Sequence, residues 1–176
     1  MAEGIKRPIR KGHNILIEEH CIKYLNSRIQ QEELSSRIYL AMSLWLSNEG
    51  YLGAGALWRK YSNEEMGHAD WARQYLLSMG VTPETPNLEK QPTEFEGLPS
   101  IIKESYEHEI TVTKQIKSMA TEAMKKGDHM LYELCLKYLK EQIEEHDKMQ
   151  NWMDRIIAFG EDKIALRLLD DEMAKY

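Results

Sequence analysis

The chain has 176 residues and a formal net charge of −6. That length fits one domain with a sizeable core, and the acidic balance gives no overall electrostatic case for binding nucleic acid or an anionic membrane. The two cysteines, Cys21 and Cys135, make no CxxC and no disulfide framework. Residues 1–14 lack an apolar signal region and no run is long enough to span a membrane, so a cytoplasmic protein with reduced thiols is expected.

Residues 1–13 carry Lys6, Arg7, Arg10 and Lys11 among Gly4, Pro8 and Gly12. They read as an irregular basic arm ahead of a helical domain over residues 14–176. A solvated tail is the usual behaviour of a terminus, with a tail that binds nucleic acid or another partner as the alternative. A first helix is expected from Asn14, a good N-cap type, to about Ser47, with Gly50 as a left-handed stop. Its core stripe is Ile22, Leu25, Ile29, Glu32, Ser36, Tyr39 and Ser43. A second helix runs from Gly53 to Met79, with Leu57, Tyr61, Glu65, His68, Ala72, Tyr75 and Met79 stepping by three or four along one face.

Residues 81–98 hold Pro83, Pro86, Pro92 and Gly97 and have no helical pattern. A loop this long needs a reason. Extended at ~3.3 Å per residue it reaches nearly ~60 Å, enough to pass a helix of ~40 Å. It can return the chain to the far end of a bundle, so that helices two and three run parallel. The third helix starts at Pro99 and reaches about Lys126, with stripe Ile102, Ser105, Glu109, Val112, Ile116, Met119 and Ala123. Asp128 caps a fourth helix to about Phe159, whose stripe is Leu131, Cys135, Tyr138, Gln142, Glu145, Met149, Trp152 and Ile156. A short last helix covers about Asp162 to Lys175. The fold class is all-α.

Four helices each place ligand-type groups in the core stripe near mid-length: Glu32, Glu65 with His68, Glu109, and Gln142 with Glu145. Singly, each reads more readily as a snorkelling or satisfied core residue than as a ligand. Jointly, no Lys or Arg occupies the stripe positions, so four carboxylates converge without a protein cation and repel one another. A pair of divalent ions relieves this, and carboxylates with one imidazole suit iron or manganese better than a thiolate-rich zinc site. Glutamates from two helices plus Glu-x-x-His from two others define the di-iron carboxylate bundle. Here one half is complete, and the other has Gln142-x-x-Glu145. The weaker half suits a site that takes up, oxidises and releases iron.

Over residues 17–174 the sequence resembles bacterial non-haem ferritin. The resemblance is carried by Glu32-Glu33-Leu34-Ser35-Ser36 with Tyr39 and Trp45, by Glu64-Glu65-Met66-Gly67-His68, by Tyr106-Glu107-His108-Glu109, and by Glu141-Gln142-Ile143-Glu144-Glu145. It implies a ferritin-like four-helix bundle with a long crossover between helices two and three and a short fifth helix. It implies a ferroxidase centre in which Glu32, Glu65 and His68 hold one iron, with Glu65 bridging, while Glu109 and Glu145 hold a second beside Gln142. Tyr39 matches the tyrosine next to that centre, and Glu64, Glu141 and Glu144 match the acids of a third iron site. It further implies iron storage by oxidation of Fe(II) with O2 or H2O2, and a hollow 24-subunit shell with a ferric mineral inside. The last helix then lines four-fold axes, against the alternative that it packs on its own bundle.

Bacterioferritin, or another di-iron oxidase or peroxidase with a retained dimetal centre, is the rival reading. Bacterioferritin requires Glu-x-x-His in the fourth helix. Met66 stands where bacterioferritins ligate haem, and it reads here as a packing residue. Mini-ferritins share the basic arm but lack this ligand set and the fifth helix. A rubrerythrin-like cysteine module is absent.

Overall fold

A computed structural model describes residues 17–176, and the expected stripes become five helices. These are α1 (Glu19–Asn48), α2 (Leu52–Ser78), α3 (Leu98–Lys126), α4 (His129–Phe159) and α5 (Lys163–Met173), with no strand among the described residues. The basic arm and Asn14 lie outside those residues. The expected start of the first helix is corrected within them. Glu18 is extended at φ −93°, ψ 157°, its carboxylate lies 3.2 Å from His20 Nδ1, and α1 begins at Glu19. Other ends match the expected signals. Gly50 takes φ +88° after α1, and the Asp128 carboxylate accepts from the Leu131 amide at 3.0 Å at the start of α4.

Side-chain pairs fix the helix directions. Ser36 meets Ser62 at 3.2 Å and the Ser43 hydroxyl donates to the Gly55 carbonyl at 2.7 Å, so α1 and α2 are antiparallel. Arg28 reaches Gln115 at 3.2 Å while Ser35 reaches His108 at 2.8 Å, so α1 and α3 are antiparallel too. Helices α2 and α3 therefore run parallel, as the span of the intervening loop predicts.

The core divides along the bundle. One end packs Tyr39, Leu46, Trp58, Tyr61, Ile102 and Trp152; the other packs Cys21, Leu25, Ile29, Leu76, Leu131 and Cys135. Between Ile29 and Tyr39 along α1 lies Glu32, and at that depth the core turns polar. Every expected stripe residue of α3 and α4 is buried. At the edges the stripes shift: Ile22, Tyr75 and Met79 are only partly covered, and Cys21 and Leu76 take the core positions. Met66 is exposed on this chain, because it follows Glu65 by about 100° around the helix and so points off the core face.

Helix α5 packs one face on its own bundle through Leu169, Asp170 and Met173. The Asp170 carboxylate accepts from the Ala54 amide at 2.8 Å, satisfying a first-turn N–H of α2. The approach is close enough that a Cβ on Gly53 would sit 2.0 Å from the Asp170 carbonyl oxygen. On the outer side Ile164 and Leu168 are exposed, beside Phe159 of α4.

Candidate metal centre

The mid-bundle polar layer draws one or two side chains from each of the four long helices, because each stripe turns polar at matching depth. Glu32, Glu65, His68, Glu109, Gln142 and Glu145 are all buried. Ligand atoms of Glu32, Glu65 and His68 lie within 4.8 Å of one another, and those of His68, Glu141 and Glu145 do the same. His68 joins the two groups. Its Nδ1 lies 3.1 Å from Glu65 Oε2 and its Nε2 lies 3.8 Å from Glu141 Oε1. Spacings of this size suit donors about 2 Å from a shared ion.

Glu109 is held differently. The Tyr39 hydroxyl donates to one of its oxygens, and Gln142 Nε2 donates to the other at 2.8 Å. Both partners were expected beside the centre, and the geometry gives each a definite atom to hold. Tyr39 is fully buried and packs edge-on against the His108 ring at 5.7 Å, while Ser35 bonds that ring's Nε2 at 2.8 Å.

Electrostatics follow from burial. Desolvation pushes the Glu32 carboxyl up to about 8 even though Arg28 pulls it down. It lifts Glu109 to about 7 against the Tyr39 hydrogen bond. Glu65 stands well above the usual carboxylate range, first through burial and then through the charge of Glu109. Glu145 is raised by burial and partly relieved by Lys148. Burial brings His108 down to about 4 and leaves it neutral. Such carboxyls retain protons until a cation replaces them.

One expectation is corrected here: the carboxylates do not converge without protein cations. Arg28 is buried with its Nε 2.8 Å from Glu32 Oε1. Lys148 Nζ lies 2.9 Å from Glu145 Oε1 and 3.3 Å from Glu64 Oε2. Arg28 precedes Glu32 by four residues and Lys148 follows Glu145 by three, so both share a helix face with their acid. A stripe taken as one residue per turn misses them, because long side chains reach the core from its flanks.

The three outer acids are not equivalent. Glu64 is bonded by Lys148, Glu141 faces His68, and Glu144 is exposed. His146 turns away toward α3, its Nε2 3.0 Å from the Thr113 hydroxyl.

Comparison with known proteins agrees with this architecture. The family model described as ferritin-like domain matches residues 22–158. The chain is 29% identical over 159 residues to the bacterial non-heme ferritin of Escherichia coli O157:H7, covering 90% of this chain and 96% of that protein. It is 28% identical over 158 residues to a probable bacterial non-heme ferritin-like protein of Haemophilus influenzae, with coverage of 90% and 96%. Among solved structures, an open pore ferritin from the hyperthermophilic archaeon Archaeoglobus fulgidus superposes with a TM-score of 0.88 at 29% identity, covering 92% of this chain and 98% of that one. The long bundle, its crossover and its short fifth helix are thus those of the ferritin-like domain family, to which this chain belongs.

Proposed function

We propose that the chain stores iron and is a ferroxidase. Fe(II) is its substrate, bound inside each subunit at a dinuclear site. Glu32, Glu65 and His68 hold one ion, with Glu65 bridging; Glu109 and Glu145 hold the second, with Gln142 beside it. The observation that carries this reading is a pair of donor triplets that share His68, namely Glu32, Glu65 and His68, and His68, Glu141 and Glu145, all buried except the half-buried Glu141.

Hard carboxylate oxygens favour Fe(III) over Fe(II), so the donor set favours oxidation. Two Fe(II) give up two electrons, which with two protons reduce O2 to H2O2 or H2O2 to two waters. The protons displaced from Glu32 and Glu109 on metal binding are a local source of acid. Tyr39 orients Glu109 through its hydroxyl and stands next to the reacting pair. Gln142-x-x-Glu145 supplies no second imidazole, so the second ion is held less firmly and Fe(III) can leave. It then joins a mineral inside a hollow shell of 24 subunits. The exposed apolar surface of Phe159, Ile164 and Leu168 supports such assembly, as do relatives named as ferritins. Two buried free thiols fit a cytoplasmic setting.

The test is the ferric absorbance after admitting O2 to protein loaded anaerobically with Fe(II). Glu65→Ala and His68→Ala slow the reaction at least 100-fold while size-exclusion chromatography still returns the wild-type assembly. Wild-type rates in both variants overturn the site, and a monomer or dimer for the wild type overturns the shell.

A further inference from the structure

The outer edge of the cluster carries a cation of the protein's own. Lys148 Nζ sits between two carboxylates from different helices, 2.9 Å from Glu145 on α4 and 3.3 Å from Glu64 on α2. The ammonium also lies 5.7 Å from the centroid of the Tyr61 ring. Glu145 at the same time forms a donor triplet with His68 and Glu141.

We propose that Lys148 is a tethered counter-ion that fills the outer metal position of the cluster, so that Glu64 and Glu145 neutralise an ammonium where a third ion would otherwise bind. The inference rests on the reading of the buried carboxylates as an iron site and concerns how many ions that site takes.

The geometry favours this over an ordinary surface ion pair for three reasons. Glu145 is buried, and its partner cation is part-buried, so their attraction is only weakly screened by solvent. The ammonium spans two helices rather than closing a local i,i+3 pair alone. It also engages one carboxylate of the inner site and one of the outer edge, which a third ion would have to share. Of the other acids of that edge, Glu141 faces His68, and Glu144 is exposed and contributes to no ion pair among the described residues. An incoming divalent ion must therefore displace Lys148. The side chain can swing into solvent, because a third of its surface is already exposed. Arg28, on the opposite side, has no such freedom. It is buried and tied to Gln115, which in turn bonds Gln31 at 3.2 Å. The two resident cations thus differ in kind: one is fixed beside Glu32, the other is exchangeable at the edge.

The test is anaerobic titration of the assembled protein with Co(II), a redox-inert probe, by calorimetry and by the visible spectrum of the bound ion. Lys148→Met removes the charge and keeps the length of the stem. It is expected to bind one more Co(II) per chain than the wild type, or to bind its weakest ion at least tenfold more tightly. Lys148→Arg keeps the charge and retains the wild-type count. Glu64→Gln combined with Lys148→Met cancels the gain, which ties it to this position. An unchanged count and affinity in Lys148→Met overturns the inference while leaving the iron site intact. A wild type that binds no Co(II) in the cluster instead overturns the reading on which it rests.

Discussion

Arg28 and Glu32 form an ion pair inside the bundle, one helical turn apart on α1, at 2.8 Å and with almost no exposure on either side chain. Arg28 opposes the burial that lifts Glu32, yet the carboxyl still stands at about 8. Without the guanidinium, Glu32 rises further. Arg28→Met is therefore expected to destabilise the metal-free protein at pH 8.5, where the wild-type Glu32 can ionise beside the guanidinium and the variant's carboxyl must hold its proton. At pH 5.5, where Glu32 is protonated with or without Arg28, the loss is much smaller. Calorimetric unfolding of metal-free protein at the two pH values measures this, and equal losses at both contradict it.

The buried acids give metal-free stability a definite pH dependence. Glu32 at about 8 and Glu109 at about 7 stand above their ordinary 4.5. The folded state thus keeps protons that the unfolded chain releases. Their contribution is full below about 4.5 and is lost as pH rises through 7 and then 8. His108 acts in the opposite sense. At about 4 against an ordinary 6.5, it contributes above 6.5 and loses that contribution as pH falls. The two effects oppose each other between 4.5 and 6.5. Above 6.5 the carboxyls act alone. The metal-free Tm is expected to fall between pH 6.5 and 8.5, and saturating Co(II) is expected to remove or reverse the fall, because metal binds the deprotonated form. A metal-free Tm that rises over that interval counts against the buried protons.

Tyr39 is wired to one oxygen of Glu109 and Gln142 to the other. Tyr39→Phe keeps the ring and removes the donor. Iron oxidation is expected to slow about tenfold, the scale of one hydrogen bond of about 1 kcal/mol, with the Co(II) count unchanged. Stopped-flow ferric absorbance checks the rate, and a wild-type rate removes Tyr39 from the centre.

Asp170 ties α5 to the first turn of α2 through the Ala54 amide. Asp170→Ala is expected to cost about 1 kcal/mol, as loss of a helix cap does, and to lower the Tm without changing the oxidation rate. An unaltered Tm contradicts the tie.

Most of the fold was legible because the helices carry it in their own spacing. The stripes of α3 and α4 predicted their buried residues, and Gly50, Asp128 and the Pro-rich loop marked the boundaries. The ligand-type residues were legible for the same reason, since a carboxylate in an apolar stripe is an anomaly. What stayed hidden depends on reach rather than on phase. Arg28 and Lys148 lie beside the stripe and enter the core along their stems. Asp170 acts through a contact 116 residues distant in sequence. The pairing of Glu109 with Tyr39 and Gln142, in place of membership in either donor triplet, depends on side-chain rotamers that spacing does not encode.

Storage, as distinct from a retained dimetal centre, is decided by how much iron each chain oxidises and keeps in solution. Fe(II) is added stepwise under O2 to the purified assembly, and soluble ferric iron per chain is measured after centrifugation. Continued turnover, with soluble ferric iron far beyond the two ions of the dinuclear set, is the predicted result. Saturation at about two ions per chain, with further iron precipitating, would contradict it.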